Sequence, residues 1–134
     1  MIHLDSSFLV DLLRESGRGE EGPAQRWLQD HPEEELAISV YVACELYAGA
    51  ELARDPERKR EQVARVVASL RWSEPDQMFP LRYGQLFAEL ERQGKRASAM
   101  DLLIATAALG VPAPVLTRNA KDFERIPGLQ VLGY

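Results

Sequence analysis

A chain of 134 residues, 46% hydrophobic and 28% charged, has room for one buried core, and a single domain over residues 1–134 is expected. The net charge of −5 excludes a generally basic nucleic-acid coat and leaves only local basic patches for a polyanionic partner. One cysteine, Cys44, excludes an internal disulfide framework and points to a reducing compartment, and His3 and His31, far apart without cysteine partners, offer no structural zinc site.

Ile2–Leu4 reads as a strand. Ser6 or Ser7 can cap the helix after it, which sets Phe8, Leu9, Leu12 and Leu13 on one face. Residues 17–22 form a turn, and Pro23 suits the first position of a second helix through Trp27 and Leu28. After a polar link, Leu36–Val40 is the second strand. A helix from about Val42 to Ala53 follows, and Asp55-Pro56 restarts one that runs to Leu70, with Val63, Val66, Val67 and Leu70 as its buried stripe. Trp72 falls on a short strand. A helix over 76–93 carries Pro80 in its first turns and ends at Gly94. Ser98–Leu109 is the next helix, stopped at Gly110. Pro114–Thr117 is a strand, 118–128 a loop with one helical turn, and Leu129–Leu132 the last strand.

Short apolar strands alternating with helices predict an α/β fold with a parallel sheet and helices on both faces. The run 51–61 mixes both signs of charge and reads as a solvated helix face. Cys44 reads as a small buried hydrophobe, without a histidine to activate it. Phe8, Trp27, Phe79, Tyr83 and Phe87 lie at helical spacing and are expected in the core or at a contact between two copies. No charged leader precedes an apolar run at the N-terminus, so no signal peptide is expected. The longest uncharged stretch, 102–117, is shorter than the roughly 20 residues of a membrane span and is broken by Pro112 and Pro114. A cytoplasmic protein without a membrane segment is expected.

Three carboxylates stand where acids are expensive. Asp101 is the only charged residue between Ala97 and Thr117, and its helical neighbours Ala97, Ser98, Ile104 and Ala105 are small or apolar. Glu45 has Tyr41, Val42, Ala48 and Gly49 around it, none of them basic. Asp5 ends the first strand, and in open parallel sheets sites form outside the carboxyl ends of strands. Thr117, Arg118 and Asn119 occupy the same kind of place after a later strand, with Asp122 following. Carboxylates gathered in one pocket repel, and near neutral pH one would be protonated unless a cation joined them. A hard divalent ion such as magnesium or manganese suits that oxygen-rich setting, and such a site can activate water for attack on a phosphodiester.

"LDSS" at Asp5, "ISVYVACELYAGA" with Glu45, "SAMDLLIATAA" with Asp101 and the closing "VLTRNAKDFERIPGLQVL" together resemble the PIN-domain ribonucleases, and in particular the VapC-type toxins of toxin–antitoxin pairs. The resemblance covers essentially the whole chain. It implies a three-layer α/β/α sandwich with a central parallel sheet. It also implies a Mg2+- or Mn2+-dependent endoribonuclease that cuts RNA by metal-activated water. By motif, Asp5 and Asp101 are the main metal ligands, Glu45 completes the acidic cluster, and Ser6 and Thr117 brace the site. The family's fourth acid falls at Asn119 here, a neutral oxygen donor, with Asp122 as a nearby substitute in the catalytic set. Val42 stands where the family often has a threonine three residues before the glutamate. Implied partners are a VapB-type antitoxin, whose C-terminal segment would cover the groove and send an arginine into the acidic pocket, and a second copy in a homodimer. Among Arg82, Arg92, Lys95, Arg96, Arg118 and Lys121, the cations flanking the site, Arg118 and Lys121, are the first choice for RNA phosphates. Two other readings stand beside this one: a PIN nuclease of RNA processing without an antitoxin, and a catalytically idle PIN-fold binding or regulatory module.

Overall fold

The computed structural model describes residues 1–134. In chain order the elements are β1 (Ile2–Leu4), α1 (Ser6–Arg18), α2 (Pro23–Asp30), β2 (Leu36–Ser39), α3 (Val40–Glu51), α4 (Pro56–Ala68), β3 (Arg71–Ser73), α5 (Phe79–Arg92), α6 (Ala99–Leu109), β4 (Val115–Leu116), α7 (Ala120–Glu124) and β5 (Val131–Leu132). The five strands form one sheet in the order β3-β2-β1-β4-β5, and every pairing is parallel. The helical crossovers that parallel strands require flank the sheet. On one side α1 packs against α2 and α3, and α3 against α4. On the other α5 packs against α6, and α6 against α7.

The topology places the site. The chain starts in the middle of the sheet, winds outward through β2 to β3, then returns to the far side of β1 as β4 and β5. The winding direction reverses between β1 and β4. At such a switch point the loops leaving the two strands diverge and open a crevice at their carboxyl ends. Asp5 leaves β1 there, its backbone N–H donating to the Leu116 carbonyl at 3.0 Å. Thr117 leaves β4 beside it, tied to the Leu132 carbonyl at 3.0 Å.

The core lies between sheet and helices. Phe8, Leu9, Ile38, Leu102, Ile104, Leu116 and Phe123 are almost fully buried, each contributing about 1.5–3 kcal/mol from apolar burial. Phe8 meets Trp27 and Tyr134 edge-on, with ring centroids 5.9 Å and 4.8 Å away.

Several element boundaries differ from the sequence expectation, each for a local reason. Helix α1 runs to Arg18 and stops at Gly19, which takes the left-handed conformation at φ 65°. Helix α3 begins at Val40, because the Ser39 hydroxyl accepts the Val42 N–H at 3.4 Å and ends β2 one residue early. Helix α5 begins at Phe79, because the Asp76 carboxylate accepts the Met78 N–H in a turn at 2.9 Å. Cys44 is exposed, on the face of α3 opposite Ala43, Leu46 and Ala50. Phe87 is half exposed, whereas Phe8 and Phe79 are buried. No helix is long and apolar enough to cross a membrane.

Candidate active site

Asp5 occupies the N-cap position of α1, yet its side chain caps nothing. Neither serine caps the helix either. Ser7 Oγ donates to Asp5 Oδ2 at 2.8 Å, and Thr117 Oγ1 donates to the same oxygen at 2.7 Å. Each hydroxyl then accepts a backbone N–H, Ser7 from Arg118 at 3.1 Å and Thr117 from Asn119 at 2.9 Å. A hydroxyl has one proton to give. Both protons are committed to Asp5, so the 3.2 Å approach of Ser7 Oγ to Thr117 Oγ1 is a consequence of sharing that acceptor. All three residues are buried. The arrangement pins the first turn of α1 to the end of β4 and fixes the carboxylate plane, with Oδ1 free of protein donors.

Ser6 turns to Glu45 instead. Its hydroxyl donates to Oε1 of Glu45, on α3, at 3.0 Å. Burial pushes the Glu45 carboxyl above its ordinary value, the Ser6 hydrogen bond works against that rise, and the charges of Asp5 and Asp101 add to it. Asp101 sits in the first turn of α6, where Ser98 Oγ accepts its N–H at 3.1 Å. Burial pushes its carboxyl up too. Ser98 lowers it, Asp5 and Asp122 raise it, and Arg125 lowers it. Asp5, Glu45 and Asp101, from three elements far apart in sequence, therefore share one electrostatic neighbourhood.

The remaining predicted residues divide. Asn119 is exposed at the start of α7, with no cap hydrogen bond from its side chain. Asp122, one turn later, is the residue whose charge reaches Asp101. Of the two residues offered for the fourth acidic position, only Asp122 carries a charge, and that charge reaches Asp101. Arg118 is held by Asp11 of α1 at 2.5 Å, and the Tyr134 hydroxyl donates to the other Asp11 oxygen at 2.6 Å. The Arg118 side chain stays half exposed in that pair. Lys121 is exposed and makes no ion pair; its carbonyl accepts from Arg125 Nη2 at 3.3 Å.

Sequence reasoning missed two residues. Ser7 was assigned to helix capping, although its place two residues after Asp5 was a usable signal. Arg125 gave none: it binds the carbonyls of Arg96 and Lys121, lies 4.0 Å from Asp122 and faces the site only through the fold.

The donor set is entirely hard oxygen, which matches Mg2+ or Mn2+ and suits neither zinc nor copper. No three His, Cys, Asp or Glu side chains close into a cage around one point. Magnesium does not require such a cage, since it keeps several waters and takes one or two carboxylates together with substrate phosphate. On the side of Glu45 facing α1 and α4, Val10, Leu13, Leu46 and Val63 line an apolar slot of about 180 Å3, with Lys59 at its edge.

Comparison with known proteins agrees with this fold. The PIN domain family model matches residues 2–129. The tRNA(fMet)-specific endonuclease VapC of Salmonella typhimurium is 34% identical over 96 residues, 72% of this chain and 73% of that protein. Ribonuclease VapC2 of Rickettsia felis is 33% identical over 94 residues, 70% of each chain. Among solved structures, VapBC2 from Rickettsia felis bound to a DNA fragment from their promoter contains a chain that superposes with a TM-score of 0.89 at 26% identity. The match covers 100% of this chain and 99% of that one. The switch-point aspartate, the two flanking acids and the fold that unites them thus coincide with a family match over nearly the whole chain: this protein belongs to the PIN domain family, in its VapC branch.

Proposed function

We propose that this chain is the endoribonuclease toxin of a type II toxin–antitoxin pair and that it cuts RNA phosphodiesters with Mg2+ or Mn2+ as cofactor. One observation carries the reading. Asp5 stands at the switch point of the sheet with Oδ2 clamped by two hydroxyls and Oδ1 free, in the field of Glu45 and Asp101. Asp5 and Asp101 would hold the ion with Glu45 beside them. When bound, the ion supplies a more acidic water and neutralises charge at the phosphate.

The chain's own residues do the rest. Ser7 and Thr117 keep Asp5 in one orientation before substrate arrives, which spares reorganisation during the reaction. Ser6 holds Oε1 of Glu45 and leaves Oε2 to accept a proton from water. A carboxyl raised by burial is a better base near neutral pH than a solvated one. Asp122 serves as the fourth acid in place of Asn119, and Lys121 offers a free cation to the RNA backbone.

The proposed partners follow from the same reading. A VapB-type antitoxin seats apolar side chains in the slot beside Glu45 and brings an arginine to the acidic pocket. The protein works as a cytoplasmic homodimer, each copy one PIN domain over residues 1–134. The name of the Salmonella relative puts transfer RNA first among the RNAs to assay. The idle-module reading rested on Asn119; the charge that Asp122 brings to Asp101 supports the active reading against it.

The test is brief induction in a bacterial host with mapping of new RNA 5′ ends, alongside Asp5→Ala and the more conservative Asp101→Asn. New ends are expected with the intact chain alone, and their loss on chelation in a purified assay. Identical profiles for intact chain and variants, with folded protein verified, would overturn the ribonuclease reading in favour of the idle module.

A further inference from the structure

Between the second half of α5 and the start of α6 lies a pocket of about 220 Å3. Leu90 and Leu102 are buried at its base, Phe87 is 50% exposed along its side, and Glu91, Lys95 and Arg96 line it as exposed residues. The mechanism above uses none of them.

Its placement ties it to the reaction. Leu102 directly follows Asp101, and Ala97, also in the lining, directly precedes Ser98, whose hydroxyl caps the Asp101 N–H. Pocket and acid are built on the same turn of α6. The loop between the helices is held at both ends of the cationic pair. The Lys95 N–H donates to the Leu90 carbonyl at 2.9 Å, and Arg125 Nη1 donates to the Arg96 carbonyl.

Its charge is out of character for the chain. The lining carries two cations, Lys95 and Arg96, against one acid, Glu91, in a protein of net charge −5. Arg92, Lys95 and Arg96 make no ion pair, whereas Arg118 is taken by Asp11 and Arg82 stands 3.8 Å from Asp76. Free cations beside a solvent-facing aromatic ring suit single-stranded nucleic acid, whose phosphates take the charge and whose bases stack on the ring. The Phe87 ring already lies nearly parallel to that of Tyr83, 19° between planes. A pocket smaller than the roughly 300 Å3 of a drug-sized site holds one ring system.

Glu91 adds selectivity. It is the sole hydrogen-bond acceptor among the lining side chains. Adenine, cytosine and guanine each carry an exocyclic amino group that can donate to a carboxylate, whereas uracil lacks one and offers only its N3–H. Resting on the ribonuclease reading, we infer that this pocket holds one nucleobase of the RNA strand beside the cut, stacked on Phe87 with Lys95 and Arg96 on its phosphate, and that Glu91 favours an amino-bearing base over uracil.

Binding without cleavage separates this inference from the activity. Fluorescein-labelled decauridine, and the same decamer with one central adenosine, cytidine or guanosine, are titrated with the full chain in EDTA at low salt and followed by anisotropy. The substituted decamers are expected to bind about tenfold tighter than decauridine, with Glu91→Gln closing the gap to within about twofold. Phe87→Leu, which keeps the apolar bulk and loses the ring, is expected to weaken binding to the substituted decamers about tenfold. Asp101→Asn keeps the preference. Thermal melts of each variant verify folding. A chain that cleaves RNA but binds all decamers alike, or is indifferent to Phe87→Leu and Glu91→Gln, overturns the pocket and leaves the ribonuclease standing. A chain that neither binds nor cuts RNA overturns both.

Discussion

A single oxygen, Asp5 Oδ2, receives the two hydroxyl protons on which the geometry of the site depends. Hydrogen bonds to a charged acceptor are worth about 1.5–3 kcal/mol each. Ser7→Ala or Thr117→Val should therefore lower kcat about tenfold or more on an RNA substrate at saturating Mg2+, while Thr117→Ser, which keeps the donor, should retain most of the rate. Steady-state cleavage assays check this, and equal losses in Thr117→Ser and Thr117→Val would show that bulk matters and the proton does not. Glu45 and Asp101 were legible in the sequence because neither has a basic neighbour at helical spacing, and Asp5 because it ends a strand of a parallel sheet. The clamp was not. A serine at a helix start reads as a cap, and only the fold brings Thr117, 110 residues away, to the same carboxylate as Ser7.

Among the elements, α2 shows why local patterns set some boundaries and not others. Pro23 announces its start, but the N-cap residue, Gly22, has no side chain to satisfy the free N–H groups. Glu15, from the end of α1, supplies the acceptor: its two oxygens take the N–H groups of Gly22, Ala24 and Gln25 at 2.9–3.0 Å. One carboxylate thus caps a helix that it does not belong to, and locks the turn after Gly19. Glu15→Ala should cost about 2 kcal/mol, read as a lower urea midpoint with unchanged slope, whereas Glu20→Ala, exposed in the same turn, should cost nothing measurable. Caps of the ordinary kind, Ser39 and Ser98, act within three residues and were open to sequence reasoning; Ser98 was placed correctly within one residue, while Ser39 was absorbed into a strand that ends one residue sooner. Cys44 went astray for a related reason. In an apolar run such as 40–50 composition does not say which face is buried, and Ala43, Leu46 and Ala50 settle it only once α3 meets its neighbours.

For the whole molecule, the parallel sheet that creates the site also creates a titration problem at its centre. β1 is paired on both sides, and His3 within it is 1% exposed with Nε2 lacking any partner. Burial, aided by the nearby N-terminal charge, pushes its pKa down from 6.5 to about 4. Unfolded chains bind this proton below 6.5 and the folded protein does not, so stability is present above that value and is lost as pH falls toward 4. The full difference corresponds to about 3 kcal/mol. Glu45 and Asp101 act in the opposite direction: their carboxyls are raised in the fold, so their contribution improves as pH falls into the carboxylate range and is lost as it rises above it. The two effects oppose each other as pH falls, so the histidine limb is isolated by comparison with a chain that lacks only that imidazole. Thermal melts of metal-free protein from pH 6.5 downward should therefore show the histidine limb as the difference between the parent and His3→Leu. In His3→Leu, which removes a buried orphan nitrogen at similar volume, that limb should vanish with no loss of Tm at pH 7.5. A His3→Leu protein whose Tm still falls in parallel with the parent between pH 6.5 and 5 would assign the acid sensitivity to a different group.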